Sequence, residues 1–460
     1  MRDLRGYAAF YLDRDFMKRF LSLVLPMAAQ SAMGASLTVL DGMMVGRLGP
    51  EAMAAVQLSA QLWFIFNLFC FGVASGGAMF VSQYYGARDV DGIHRVIGLM
   101  TLAALAVALP CTVVAVFAPQ AFLRLYTPDA AVVELGAGFL RFFGPAYLVM
   151  AVSVCYSSAI KATRRVKLPL FAGVASLIAN TVLNYCLIFG NFGFPAMGVN
   201  GAALATLCAT LLELALLIIF SALWRYPTAA KLYSYLPKSL AFAKRYFKIV
   251  WPIIAHDGTW GIGATIIAAS YGAISTATIA ALSICNVMER LGYIMIHSMA
   301  SGCNTLVGIS IGAEEEDEAQ RTVHRSMVLI FVVGVISGLI IILARPLLLM
   351  LYPDVGDEVR GIAGGAMLVV GITMLVRPIL MGYFMGAFRP GGDARFAALL
   401  DVIPIFALGI PLVYLAVYYF KWPLIYVLPF AYIEDIPKII IGGLRIKSRK
   451  WIHNVVRQEG

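Results

Sequence analysis

The sequence predicts an all-α integral membrane protein with twelve transmembrane helices in two pseudo-symmetric six-helix bundles. Three observations support this fold: the composition, the spacing of the apolar segments and an internal repeat. Of the 460 residues, 61% are hydrophobic and 13% are charged, whereas soluble domains are roughly 45–50% apolar and about 25% charged. So large an apolar excess requires contact with lipid. No polar stretch is long enough to form a separate soluble or catalytic domain.

Twelve apolar segments are long enough to span a bilayer. A helix needs about 20 mainly apolar residues to cross the hydrocarbon, because backbone N–H and C=O groups cannot be left unpaired in lipid. The predicted helices 1 to 12 cover residues 20–45, 52–84, 95–118, 132–160, 168–190, 201–224, 247–271, 278–311, 326–344, 361–388, 396–420 and 422–444.

Basic residues predict the orientation. If the loops alternate sides from a cytoplasmic start, 26 Lys and Arg residues lie on the inner side and six on the outer side. This asymmetry follows the positive-inside rule for an even number of spans with both termini in the cytoplasm. It also explains the net charge of +10 without a nucleic-acid partner, since the charges are scattered over many loops.

The predicted domain organisation follows from the same segments. We expect a cytoplasmic N-terminal tail at 1–19, retained because no signal-peptide cleavage pattern follows it. An N-lobe of helices 1–6 covers 20–224, a basic cytoplasmic linker 225–246, and a C-lobe of helices 7–12 covers 247–444. Residues 445–460 form a cytoplasmic C-terminal tail.

An internal repeat relates the two lobes. Pro26 matches Pro252 and Gly46 matches Gly272 at a constant shift of 226 positions, and the same shift aligns 54–55 with 280–281, 74–76 with 300–302 and 86–87 with 312–313. Six helices precede the second copy, so both copies start on the same side of the membrane. Parallel repeats of this kind are typical of secondary transporters, which bind substrate between their halves.

Several motifs resemble those of one transporter family. They are Leu25-Pro26, 41–49 (DGMMVGRLG), 82–87 (SQYYGA), 180–190 (NTVLNYCLIFG), 198–206 (GVNGAALAT) and 387–393 (AFRPGGD). Together they resemble the MATE (multidrug and toxic compound extrusion) transporters of the MOP type, and the DinF-like branch more than the NorM-like one.

The resemblance implies an antiporter of the cell membrane. Members export hydrophobic or cationic drugs and toxic compounds by alternating access, driven by Na⁺ or H⁺ entry. We accordingly expect no cofactor other than a coupling ion. The expected partners are a small-molecule substrate and the lipid bilayer, and the expected oligomeric state is a monomer.

Asp41 is the main candidate for ion coupling. It lies in an apolar helix, where a carboxylate costs about 2.5–3.5 kcal/mol on insertion scales. A lone buried carboxylate can bind a proton or anchor a cation among neutral oxygens, and a structural hydrogen bond is the alternative. Asn180 and Asn184 are four residues apart, so they share one helix face and could present two amide oxygens to an ion or join neighbouring helices.

The resemblance extends this candidate site. In DinF-like relatives, a cation site combines the position of Asp41, both helix-5 positions, and oxygens of helix 6 that fall on Ala202 and Thr206 here. Some members carry a second aspartate at the position of Asn184. The sequence therefore leaves two possibilities for the coupling ion: a Na⁺ ion bound by Asp41, Asn180 and Asn184, or a proton bound by Asp41.

A second polar set is predicted for the cleft between the lobes. It comprises Gln30, Asp257, Glu289, Arg377 and Asp401, because ionisable residues within membrane helices are functional candidates. We expect Glu289 to pair with Arg377, since the adjacent Arg290 points about 100° away on the same helix.

The sequence assigns no role to three carboxylates and is compatible with several alternative functions. Glu213, Glu434 and Asp435 receive no role. A lipid-linked saccharide flippase of the same superfamily would favour a cationic cleft, for which Arg290 and Arg377 are candidates. An intramembrane enzyme would need clustered catalytic groups, yet no HExxH motif occurs and the five histidines lack metal-ligand spacing. A channel would conduct ions without substrate exchange.

Overall fold

The computed structural model describes residues 13–236, 239–350 and 355–457. Within these ranges the chain forms helices and turns and no β-strand. The main helices are α1 Arg14–Gly46, α2 Pro50–Gly86, α3 Val90–Phe117, α4 Ala130–Ala162, α5 Lys167–Phe189, α6 Val199–Leu223, α7 Leu240–Gly272, α8 Thr276–Gly312, α9 Glu316–Met350, α10 Asp357–Thr373 with Arg377–Phe388, α11 Ala394–Tyr419, and α12 Leu424–Ala431 with Asp435–Lys447.

The helix bounds confirm the repeat. α1 and α7 are each 33 residues long, and α2 and α8 are each 37. Both ends of each pair differ by the same 226 positions that separate Pro26 from Pro252. The sequence similarity between the halves is therefore expressed in matching helices.

Two of the predicted spans, α7 and α12, fall short of a long apolar helix, and both carry buried charged residues. Nine helices in the described ranges are long and apolar enough to cross a membrane, and the two parts of α10 make a tenth. α7 carries the buried His256 and Asp257, and α12 carries the buried Glu434, Asp435 and Lys438. Because protein and not lipid surrounds these groups, α7 and α12 complete the twelve predicted spans.

Two predicted helices are broken instead of continuous. α10 bends by 54° between Thr373 and Arg377, because Pro378 has no N–H and its ring clashes with the carbonyl of Met374. In α12 the residues between Ala431 and Asp435 form turns, and Pro437 cannot donate to the carbonyl of the residue four positions before it. Both breaks lie beside charged residues.

The chain divides into two compact units. The N-unit comprises Ala29–Val250, and the C-unit comprises the described residues up to Ala28 and those from Trp251 onward. The divisions fall within α1 and α7, close to Pro26 and Pro252. The division into an N-lobe at 20–224 and a C-lobe at 247–444 as functional domains stays a prediction.

The start of α1 is anchored within the C-unit. The carboxylate of Asp13 accepts hydrogen bonds from the amides of Asp15 at 3.0 Å and Phe16 at 3.4 Å, as helix-capping residues do. These bonds, that of Phe16 foremost, lower the pKa of the Asp13 carboxyl. The charged carboxylate lies 3.2 Å from the guanidinium of Arg325 in α9, which ties the two helices together.

The basic linker folds onto α3 in the N-unit. Tyr235 donates a hydrogen bond to the carbonyl of Thr228 at 2.7 Å, and a ring nitrogen of His94 lies 2.9 Å from the carbonyl oxygen of Pro227. A Cβ atom at Gly98 would lie 1.6 Å from the carbonyl oxygen of Tyr235. Only glycine allows this approach, so the linker lies directly against the helix.

We expect Gly98→Ala to destabilise the N-unit by about 1–3 kcal/mol or more, the cost of overpacking an interior contact. Gly34→Ala in α1 is the matched control, because among the described residues no atom beyond the adjacent residues and the helix's own backbone lies within 4 Å of a Cβ at Gly34, and alanine favours a helix by about 1 kcal/mol. Thermal unfolding in detergent should give a lower Tm for the first variant and an unchanged or higher Tm for the second. Equal Tm values would contradict the contact.

Candidate functional site

The five residues predicted for the coupling-ion site lie together in the N-unit. Asp41 belongs to α1, Asn180 and Asn184 to α5, and Ala202 and Thr206 to α6. The two residues from α5 are four positions apart, as are the two from α6, and this spacing places the members of each pair on one helix face. Three helices thus direct their polar atoms to one place.

Hydrogen bonds join these residues into a continuous chain. The amide nitrogen of Asn184 donates to Asp41 Oδ1 at 2.6 Å and to Asn180 Oδ1 at 2.8 Å. The amide nitrogen of Asn180 donates to Thr206 Oγ1 at 3.2 Å, and that hydroxyl donates to the carbonyl of Ala202 at 3.0 Å. The structure brings the predicted set together, and its role in ion binding stays a prediction.

The site has one carboxylate and a surplus of oxygen atoms. Asn180 and Asn184 are 0% and 1% exposed, and Asn184 Oδ1 is buried without a hydrogen-bond partner in the described ranges. Asp41 is half-buried and forms no ion pair with a basic side chain there. Leaving a buried oxygen unpaired costs about 1–3 kcal/mol, so the arrangement favours a positively charged guest near Asn184 and Asp41.

The remaining predicted polar residues are divided between the two units. Gln30 lies in the N-unit, where its amide nitrogen donates to the carbonyl of Pro169 at 3.4 Å. Asp257, Glu289, Arg377 and Asp401 belong to the C-unit, so the grouping of all five residues in one cleft stays a prediction. Helical hydropathy gives no information about which unit a polar residue in α1 will join.

The predicted pair between Glu289 and Arg377 is present. A guanidinium nitrogen of Arg377 lies 3.7 Å from Glu289 Oε1, and its Nε lies 3.1 Å from Asp435 Oδ2. The guanidinium also lies over the ring of Tyr432, 4.7 Å from its centroid. The bend in α10 positions Arg377 between α8 and the break in α12.

A buried lysine continues this network. The ammonium of Lys438 lies 2.7 Å from Asp401 Oδ1, 2.9 Å from Glu434 Oε1 and 3.8 Å from Asp435 Oδ1. Lys438 is 2% exposed, and all three carboxylate residues are buried. Asp401 therefore links α11 to α12 through one cation.

A histidine extends the network to α7. His256 lies between two carboxylates, with Nδ1 at 2.8 Å from Asp257 Oδ1 and Nε2 at 2.7 Å from Asp401 Oδ2. Each ring nitrogen faces an acceptor, so a protonated ring would donate to both. Arg389 at the end of α10 forms an ion pair with Asp257. Nine ionisable groups thus make one connected network in the C-unit.

The sequence pattern does not predict Lys438 and Arg389 as members of this network, and it gives Glu434 and Asp435 no role. One signal was available: Lys438 follows these acids by four and three positions, the spacing at which side chains meet on a helix. Asp401 and His256 could not be added in this way, because they come from other helices. Glu213, in α6, has an electrostatic interaction with Lys161 of α4.

We expect Arg377→Met to destabilise the C-unit by about 3 kcal/mol, the lower end of the cost of leaving a buried charge unpaired, because the Arg377 side chain is 28% exposed. Arg290→Met is the matched control, since Arg290 is exposed on the same helix as Glu289. Thermal unfolding of both variants in detergent measures the difference. An unchanged Tm after loss of Arg377 would refute a structural role for the pair.

Comparisons with known proteins identify related chains. The sequence model of the MatE family matches residues 26–186 and 259–415. The probable multidrug resistance protein YoeA of Bacillus subtilis is 24% identical over 426 residues, covering 88% of each chain. The probable multidrug resistance protein NorM of Burkholderia mallei is 25% identical over 401 residues, covering 85% of this chain and 83% of the relative.

A solved structure shows the same fold. The structure of a MOP superfamily transporter from Pyrococcus furiosus aligns with a TM-score of 0.84 at 19% identity, covering 94% of this chain and 96% of the other. This likeness confirms the predicted all-α membrane fold of the MATE and MOP type. Assignment to a DinF-like branch stays a prediction.

Proposed function

This chain belongs to the MatE family of membrane transporters, and from that premise we propose that it is a cation-coupled antiporter that exports hydrophobic or cationic compounds by alternating access. The support for drug export is that similar proteins bear the name of multidrug resistance proteins. The support for ion coupling is the hydrogen-bonded set around Asp41. Members of the family are transporters, so the chain is not an enzyme.

The observation on which ion coupling rests is the unpaired oxygen of Asn184 beside the only carboxylate of the site. A monovalent cation would meet the Asp41 carboxylate, amide oxygens of Asn180 and Asn184, the Thr206 hydroxyl and the Ala202 carbonyl. Carboxylate, carbonyl and hydroxyl oxygens are the ligands that hard cations such as Na⁺ prefer. A proton would instead neutralise Asp41 and leave the amides to hold the carboxylic acid by hydrogen bonds.

Coupling follows from the charge of this site. A carboxylate among apolar helices is costly when ionised, and binding a cation or a proton removes most of its charge. The free energy of ion binding can then favour one of two conformations, because a ligand shifts an equilibrium by its difference in affinity for the two states. Entry of the ion down its gradient would reset the protein after each export step.

Transport in proteoliposomes tests this proposal. Vesicles loaded with a fluorescent lipophilic cation would receive either an inward Na⁺ gradient at uniform pH or an inward pH gradient without Na⁺. We expect at least one gradient to accelerate export of the dye, and the active gradient identifies the coupling ion. Export that responds to neither gradient would contradict coupling, and ion flux without dye exchange would indicate a channel.

A saccharide-lipid flippase is less consistent with the charges found here. The cationic side chain expected to attract an anionic headgroup, Arg377, already contacts Glu289 and Asp435. Arg290 is exposed on α8. The charge of Arg377 is therefore neutralised by neighbouring acids.

We further propose a monomer in the cell membrane with both termini in the cytoplasm. The support for the orientation is the distribution of basic residues, with 26 on the predicted inner side and six on the outer side. A thiol reagent that does not cross the membrane would test it in a chain whose native cysteines have been replaced. A single cysteine introduced at Phe192 should be labelled in intact cells, and one at Arg449 only after the membrane is permeabilised.

A further inference from the structure

The C-unit holds a cluster of acids whose centre is occupied by a side chain of the protein itself. Asp401, Glu434 and Asp435 surround the ammonium of Lys438, with the shortest contacts at 2.7 and 2.9 Å. All four residues are at least nine-tenths buried. Three acids around one monovalent charge have the composition of a binding site for a small cation.

We propose that Lys438 is a tethered cation that fills a three-carboxylate site in the C-unit, and that without its ammonium this site would take a free monovalent cation. The bound ligand is then part of the chain, and the C-unit is closed to exchange with cations in solution. The inference does not depend on the role of Asp41, since it concerns different residues in a different unit.

The charges of the network support this proposal. The network has five carboxylates: those of the three acids around Lys438 and those of Asp257 and Glu289. It has three permanent cations, Arg377, Arg389 and Lys438, and one histidine, His256. The acids therefore outnumber the cations even if the histidine is charged. Without Lys438, the five buried acids would face at most three cationic side chains, one of them His256. This excess of buried negative charge strongly favours binding of a replacement cation.

The geometry leaves oxygen atoms free for such a replacement. Glu434 Oε2 is buried and has no hydrogen-bond partner among the described residues. Its space is provided by Gly409 of α11, where a Cβ would lie 2.3 Å from this oxygen. Loss of the lysine would free Asp401 Oδ1 and Glu434 Oε1 as well, so several oxygens of two helices could contact one ion.

The position of Lys438 in the sequence explains how it reaches the site. The break in α12 ends at Asp435, and the next helical turn carries the lysine four residues after Glu434 and three after Asp435. Residues at these spacings lie on one face of a helix. Asp401 approaches the same face from α11, so the ammonium needs no conformational change to contact all three acids.

Cation-dependent thermal stability tests the proposal. All variants would carry Asp41→Asn, so that any binding at the N-unit site is reduced from the start, and Tm would be measured in detergent while Na⁺ or K⁺ replaces choline at constant ionic strength. We expect Asp41→Asn alone to show no saturable effect of either ion. Adding Lys438→Met should produce a saturable rise of Tm with Na⁺ or K⁺, because a ligand that binds only the folded state stabilises it.

Two matched variants separate a cation site from a general loss of structure. Lys438→Arg keeps the positive charge and should show no cation effect, and Lys438→Met combined with Asp401→Asn should lose the effect again. Lys438→Gln, which retains hydrogen bonding, replaces the Met variant if that protein does not fold, and should show the same gain. Absence of a cation effect in folded Met and Gln variants would overturn the proposal.

The single variant Asp41→Asn provides a second way to refute it, without any change in the C-unit. If this protein shows a saturable Na⁺ or K⁺ effect that Asp401→Asn removes, the site is already open and Lys438 does not close it. Failure of the vesicle experiment with intact Asp41 would bear on ion coupling alone. The two proposals can thus fail separately.

Discussion

Asp41→Asn is expected to abolish drug-resistance activity while the protein stays folded and inserted. The substitution removes the only carboxylate of the set formed with Asn180, Asn184 and Thr206, and it keeps the size and hydrogen-bonding capacity of the side chain. A neutral amide can neither bind a proton at physiological pH nor attract Na⁺ by charge. The coupling step is then lost, although Asn184 can still hydrogen-bond to the new residue.

The measurement is the minimal inhibitory concentration of cationic drugs in cells that express each variant, normalised to the amount of protein in the membrane. We expect Asp41→Asn to fall to the level of cells without the transporter. Glu358→Gln is the matched control, because Glu358 is an exposed carboxylate in the first turn of α10, and it should retain full resistance. Full efflux by Asp41→Asn would overturn the ion-site assignment.

The N-unit site could be predicted from the sequence because its parts are local and sparse. Asp41 stands out as a lone carboxylate in an apolar helix, and the spacing of Asn180 and Asn184 places both on one face. The family resemblance implied that the three helices meet, whereas hydropathy alone gives no information about which helices are in contact. The hydrogen bond of 2.6 Å between Asn184 and Asp41 needed the packed structure.

The C-unit network was predicted only in fragments, for a physical reason. Asp257, Glu289, Arg377 and Asp401 were each notable as charges in apolar segments, but a buried charge gives no indication in sequence of which partner neutralises it. Partners come from five helices, α7, α8, α10, α11 and α12, and the breaks in α10 and α12 determine their positions. The prolines at these breaks were visible, yet membrane helices often contain proline without breaking.

Asn184→Asp is expected to favour protons over Na⁺ as the coupling ion. Asn184 donates to Asp41 at 2.6 Å, and two carboxylates at this separation cannot both be ionised. The pair would hold a shared proton. Na⁺ would then have to displace that proton, whereas the wild-type amide contributes a neutral oxygen that needs no proton release.

The proteoliposome assay measures this change as the ratio of export under a pH gradient without Na⁺ to export under a Na⁺ gradient at uniform pH. We expect the ratio to rise about tenfold or more in Asn184→Asp, which corresponds to a difference of about 1.4 kcal/mol between the two ions. Asn184→Ala is the control: it removes the amide without adding a charge, so it should weaken coupling without favouring protons. An unchanged ratio in Asn184→Asp, with export intact, would show that the ion does not contact residue 184, because a carboxylate in contact with the ion must alter the balance between a proton and a metal cation.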